Sequence, residues 1–135
     1  MDASTLRVAD TATIHIKSAD GVPLYEDGKP VTITIYGPGS TQAAAVETKQ
    51  TSRALKRMHD NDGKVTAPTA EERRQETAQD LAAVTVAFDQ LTYGDKTGTA
   101  LFEAVYADPK LGFIAGQVQK ASADGGKFKS GPQTA

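Results

Sequence analysis

The run Val31-Thr32-Ile33-Thr34-Ile35-Tyr36 alternates apolar and polar residues without a break. A pleated strand sends successive side chains to opposite faces. Val31, Ile33 and Ile35 therefore share one face, and Thr32, Thr34 and Tyr36 the other. All but Tyr36 are β-branched, which suits a half-buried pleated surface and disfavours a helix. A chain holding this segment needs partner strands and a layer to cover the apolar face.

The partner strand is expected upstream. From Thr13 the period is again two, with Ile14 and Ile16 on one face and His15 and Lys17 on the other. Asp20-Gly21 and Asp27-Gly28 are turn signals, because glycine accepts positive φ without steric cost. Val22-Pro23-Leu24-Tyr25 reads as an edge strand between them, since Pro23 cannot donate to a ladder. Residues 13–37 thus predict a small antiparallel β-hairpin or meander, preceded by a flexible lead-in at 1–12.

Beyond Gly37-Pro38-Gly39 the pattern turns helical. Ser40 or Thr41 can cap a helix over 42–60. That segment is Ala-rich, and its large apolar residues are only Val46, Leu55 and Met58, so it buries little of its own surface. His59 to Pro68 reads as a polar linker turning at Asn61-Asp62-Gly63. Thr69 with Glu72 fits a capping box, and the helix it starts is expected to run to about Leu91. Leu81, Val84, Thr85, Phe88 and Leu91 would form its apolar stripe. A short helix should carry Leu101, Phe102, Val105 and Tyr106 on one side. Asp108-Pro109 restarts a last helix with Leu111, Ile114 and Val118 inward and Phe113 beside them. The polar stretch 122–135 is expected to be a flexible tail. The fold class is therefore α+β, with one domain over 13–121: a β-meander at 13–37, then a bundle of three to four helices at 41–121.

Composition narrows the function. The 135 residues suit one domain. With no cysteine there is no disulfide framework, no thiolate nucleophile and no Cys-ligated metal. No apolar run approaches a membrane span, and the N-terminus lacks the pattern of a signal peptide. The net charge of −2 argues against bulk nucleic-acid coating.

Motifs for chemistry are sparse. Gly37-Pro38-Gly39-Ser40-Thr41 lacks the Lys-Ser/Thr ending of a phosphate loop, and Pro38 removes an N–H. Asp60-Asn61-Asp62-Gly63 fails the EF-hand register at Met58 and Thr69. Glu71 and Glu72 offset a helix dipole. His15 and His59 lie far apart in sequence and read as exposed surface residues. No catalytic, cofactor or metal residues are assigned, and a binding role is expected rather than an enzyme. The surface feature above background is the basic face of Lys49, Arg53, Lys56 and Arg57 at helical spacing. It reads either as a solvated helix face or as a contact for an acidic partner. The missing interleaved aromatics weigh against nucleic acid.

Three strings point further. They are Gly28-Lys29-Pro30-Val31-Thr32-Ile33-Thr34-Ile35-Tyr36-Gly37, Leu81-Ala82-Ala83-Val84-Thr85-Val86-Ala87-Phe88, and Leu101-Phe102-Glu103-Ala104-Val105-Tyr106-Ala107-Asp108-Pro109-Lys110-Leu111-Gly112-Phe113-Ile114-Ala115-Gly116-Gln117-Val118. Their order, with Phe128 near the end, resembles the small tail assembly chaperones of long-tailed bacteriophages over roughly residues 13–128. The departure is at 122–128, where an aromatic-rich string with a Trp is replaced by Ser122-Ala123-Asp124-Gly125-Gly126-Lys127-Phe128. This puts the C-terminal docking surface in doubt.

The resemblance implies a non-enzymatic role in the host cytoplasm. Such a chaperone binds the helical tape-measure protein and helps recruit tail-tube subunits, and self-association is compatible with it. It also implies a longer frameshifted form, for which Gly125-Gly126-Lys127 could encode the slippery run. A groove for a helical client would read i, i+3, i+4 anchors, with Phe102, Tyr106, Phe113 and Val118 as candidate lining residues, although each reads more readily as an ordinary core residue. The alternatives are another phage head or tail accessory protein, or a small nucleic-acid-binding regulator using the 49–57 basic face.

Overall fold

The computed structural model describes residues 1–60, 68–124, 126 and 128. Among these the chain is α+β, with N-terminal strands followed by four α-helices. Strand β1 (Thr11–His15) pairs antiparallel with β4 (Thr32–Tyr36), setting Ile14 against Ile33 and Ala12 against Ile35. Val31, Ile33 and Ile35 are buried, as their alternation requires. Between these strands, β2 (Tyr25–Glu26) and β3 (Lys29–Pro30) form a separate two-stranded ribbon. Its turn is Asp27-Gly28, with φ of 49° and 78°. Positive φ at both central residues matches the right-handed twist of the flanking strands. The segment expected as an edge strand, 22–25, gives only an isolated bridge, Lys17 with Pro23, before β2 begins.

Helix α1 (Thr41–Asp60) starts where Ser40 Oγ accepts from the Ala43 N–H at 3.1 Å. Helix α2 (Ala70–Ala83) starts at Thr69, whose Oγ1 accepts from the Glu72 N–H at 3.1 Å. The Glu72 carboxylate in turn accepts from the Thr69 hydroxyl. The linker turn at Asn61-Asp62-Gly63 lies outside the described residues.

The largest correction concerns the second half of the expected 69–91 helix. α2 ends at Ala83, and Thr85–Asp89 is a fifth strand, β5. It pairs antiparallel with β4, giving the order β1-β4-β5. The residues expected as a helical stripe are spread over α2, β5 and the chain beside them, with Val84 between the two elements and Leu91 beyond β5. Leu81 stays on α2, while Thr85 and Phe88 face inward from β5 beside Ile35 and Ile33. Val86 lies at the register shift between the Ile35–Thr85 and Thr34–Ala87 pairs and is exposed. Val84-Thr85-Val86 is β-branched throughout, and the open edge of β4 supplies backbone partners that a helix would not use. Thr85 Oγ1 donates to the Leu81 carbonyl at 2.7 Å, closing the end of α2.

Helix α3 (Gly98–Ala107) buries Leu101, Phe102, Val105 and Tyr106. Asp108 Oδ1 then accepts from the Lys110 N–H at 2.9 Å, and Pro109–Leu111 is a 3-10 turn leading into α4 (Gly112–Ala123). α4 buries Ile114, Ala115, Val118 and Ala121. The inner sheet face, α2, α3 and α4 enclose one core, with Phe88 against Phe102 at 4.6 Å between ring centroids.

Two further expectations are corrected. Phe128, placed in a flexible tail, is fully buried in this core, and its carbonyl accepts from the Ala9 N–H at 2.8 Å. That bond also ties down the lead-in, whose Ala3–Leu6 forms a 3-10 turn. Residues 125, 127 and 129–135 of the expected tail lie outside the described residues. His15 is half-buried rather than exposed: its Nε2 lies 2.8 Å from the Leu24 carbonyl, and its ring meets Tyr25 edge-on at 4.9 Å.

Candidate partner-binding surface

The low apolar content of 42–60 has a direct structural outcome: no residue of α1 is buried. A helix in an isolated stretch this polar gains little from packing, so something else must hold it. Its seat on α2 is ionic. Arg53 makes a two-pronged pair with Asp80, Nη1 to Oδ2 at 2.9 Å and Nη2 to Oδ1 at 2.8 Å. Its Nε also lies 3.8 Å from Glu76. Arg57 pairs with the Glu76 carboxylate, and Gln50 Nε2 donates to Asp80 at 3.1 Å. The bond to Asp80 holds the Arg53 guanidinium further above its already high range. Spacing of four residues on each helix (53 and 57, 76 and 80) places these groups on facing surfaces.

The expected basic face is therefore split. Arg53 and Arg57 turn toward α2 and are half-buried, so they are not a free surface. Lys49 and Lys56 are exposed and have no ion pair among the described residues. Of the expected groove residues, Phe102, Tyr106 and Val118 are buried in the core, and Tyr106 also borders a shallow hollow between α2, α3 and α4. Phe113 is half-buried at the margin of the core. These side chains are consumed by covering the sheet, because β5 adds apolar area that the helices must hide.

Tyr106 shows how closed that region is. Burial pushes its phenol up to about 12. Its hydroxyl lies 2.7 Å from Thr85 Oγ1, whose single hydrogen goes to Leu81, so Tyr106 donates. Tyr93, by contrast, is a surface phenol, raised by its hydrogen bond to Asp108 at 2.9 Å.

A cavity of about 400 Å³ lies between α1, α2 and the end of β4, lined in part by Tyr36, Val46, Glu47, Leu81, Val84 and Gln119. It is mixed in character and sits where the polar side chains of α1 leave the apolar edge of the core incompletely covered.

The residues that the basic-face reading passed over are Leu55 and Met58. Both are exposed, on the side of α1 opposite its arginines. The signal was present in the spacing, since they fall at i, i+3 and out of phase with Arg53 and Arg57. Among the described residues, no helix is long and apolar enough to cross a membrane, and no cluster of His, Asp or Glu has the arrangement of a metal site. No protein-family model, curated protein or solved structure matches this chain.

Proposed function

We propose that the chain is a tail assembly chaperone of a long-tailed bacteriophage. It acts by binding, without turnover, in the cytoplasm of the infected cell. Its client is the tape-measure protein, whose apolar helical stripes it keeps in solution while tail-tube subunits are recruited. The observation that carries this reading, beside the resemblance of residues 13–128, is a 20-residue helix held on the outside of the fold with none of its residues buried. A domain that folds around α2, α3, α4 and the sheet has no need of α1 for its core, which leaves α1 available to another chain.

The test is co-expression with the tape-measure protein of the same virus. The expected result is that the tape-measure protein moves from the pellet to the supernatant and co-purifies with this chain. An equally insoluble tape-measure protein in its presence and absence sinks the proposal. Mass spectrometry of purified virions separates the reading from a virion accessory protein, because an assembly chaperone is expected to be missing from mature particles.

A further inference from the structure

Helix α2 carries two stripes of charge, and the fold answers one of them. Glu76 and Asp80, one turn apart, are taken up by Arg53 and Arg57 of α1. Arg73 and Arg74 lie on the adjoining stripe with Ala70 and Thr77, at i, i+3, i+4 and i+7. Neither arginine has a hydrogen bond or an ion pair among the described residues. Arg73 is exposed, but Arg74 is half-buried. Drawing a charge out of water is unfavourable unless a partner replaces the lost solvent.

Both arginines border a hollow of about 380 Å³ between α2, α3 and α4. α2 forms one wall with Arg73, Arg74 and Thr77, and α4 the other with Gly112, Ala115 and Gln119. The small residues of α4 leave the space open: a Cβ added at Gly112 would meet nothing within 4 Å. One carboxylate, that of Asp108, also reaches the hollow. Its oxygens are already engaged, Oδ1 accepting from the Lys110 N–H at 2.9 Å and Oδ2 from the Tyr93 hydroxyl at 2.9 Å. The hollow therefore carries net positive charge and a surplus of donors.

A guanidinium presents its N–H groups in a planar fork that matches a carboxylate or a phosphate. The surroundings choose between the two. Glu71 and Glu72 stand on the same turns of α2, exposed, and border a second hollow with Glu76 on its other side. A nucleic-acid strand carries a phosphate about every 3.4 Å, so it would run from the arginines onto these carboxylates, on a chain of net charge −2. A single carboxylate meets the arginines alone. The molecule makes that same pairing internally, where Arg53 grips both oxygens of Asp80. The volume is that of a ligand pocket rather than of a bare ion, which favours an acidic side chain together with the residues that flank it.

We infer that this hollow docks an acidic side chain, Asp or Glu, of a partner polypeptide, with its carboxylate shared by Arg73 and Arg74. The inference rests on the partner-binding reading above and names one group of the partner that the chain would hold.

The probe is a blocked pentapeptide, Ala-Ala-Glu-Ala-Ala, with its Gln counterpart as control. Each is titrated into the full chain and followed by NMR amide shifts. Saturable shifts are expected at Arg73, Arg74, Gly112 and Ala115 with the Glu peptide, with a dissociation constant on the order of 1 mM. The Gln peptide, and the Glu peptide against Arg74→Gln, should each bind at least about tenfold more weakly. Arg73→Lys keeps the charge but loses the fork, and should also weaken binding. Arg73→Gln, at an exposed position, gives the same readout should Arg74→Gln alter the circular dichroism spectrum.

No shift well above that concentration, shifts mapping elsewhere, equal binding of the two peptides, or binding that survives Arg73→Gln with Arg74→Gln would each overturn the inference. So would inorganic phosphate or a single-stranded oligonucleotide held by the same arginines more tightly than the Glu peptide, since the occupant would then be a phosphate. Co-expression with the tape-measure protein keeps the two ideas apart. A solubilised tape-measure protein beside a failed peptide titration removes this site and leaves the chaperone reading standing. A bound peptide beside an insoluble tape-measure protein does the reverse.

Discussion

Replacing Phe128 with alanine tests the most consequential difference between the linear pattern and the folded chain. The side chain is fully enclosed, and it is one of the largest buried groups in the molecule. Removing a buried phenyl ring forfeits its transfer out of water and leaves a cavity, together costing about 3–5 kcal/mol. An entire domain of this size is stable by about 5–15 kcal/mol, so the loss should be conspicuous. The structure supplies an internal check through Gly37. A Cβ added there would lie 2.9 Å from the Ala9 carbonyl oxygen and 3.1 Å from Phe128 Cδ1. Gly37→Ala should therefore cost about 1–3 kcal/mol by overpacking, and less when Phe128 is already alanine. The carbonyl contact remains in that background, so the relief is partial. Urea unfolding of the two single variants and the double variant, read by circular dichroism, measures all three. A Phe128→Ala loss below about 1 kcal/mol, or strict additivity with Gly37→Ala, would refute the burial argument.

Other consequences are open to measurement. Tyr106 has an ordinary value of 10.0 and a folded value of about 12. Its raised value favours the protonated native state. Stability should therefore be nearly unaffected below pH 10 and fall by about 2 kcal/mol as pH rises to 12, at up to about 1.4 kcal/mol per factor of ten. Tyr106→Phe should flatten that fall in alkaline denaturation curves, and an unchanged slope would contradict it. Asp80→Asn should lower the protection of α1 amides from hydrogen exchange, and wild-type protection there should drop with added salt while α3 and α4 hold theirs. Salt-independent exchange in α1 would speak against an ionic seat. Thr69→Ala should cost about 1 kcal/mol by removing the cap on α2, a change that thermal unfolding resolves. Cross-strand NMR contacts between Thr34 and Ala87 are expected for β5; helical i, i+3 contacts through 85–89 would restore the long helix instead.

Much of this fold is written in local pattern. The alternation at Val31–Tyr36, the paired Asp-Gly turns, the caps at Ser40, Thr69 and Asp108 and the stripe at Leu101–Tyr106 each name their element, because each depends on neighbours within a few residues. The poverty of large apolar side chains over 42–60 likewise announced a helix with no buried residue. What local pattern left undecided was any segment that suits two structures at once. Leu81, Val84, Thr85, Phe88 and Leu91 satisfy a helical stripe, yet Thr85–Asp89 becomes a strand, because the free edge of β4 offers backbone partners and shelter for Phe88. That choice redistributed the surface: with the sheet wider, Phe102, Tyr106 and Val118 were drawn into its cover, and Phe128 closed the core from a stretch that reads as tail. The direction in which α1 faces was also a tertiary decision. Sequence spacing sets Arg53 and Arg57 opposite Leu55 and Met58, but only the carboxylates of Glu76 and Asp80, brought alongside by α2, turn the arginines inward and leave the apolar pair facing water.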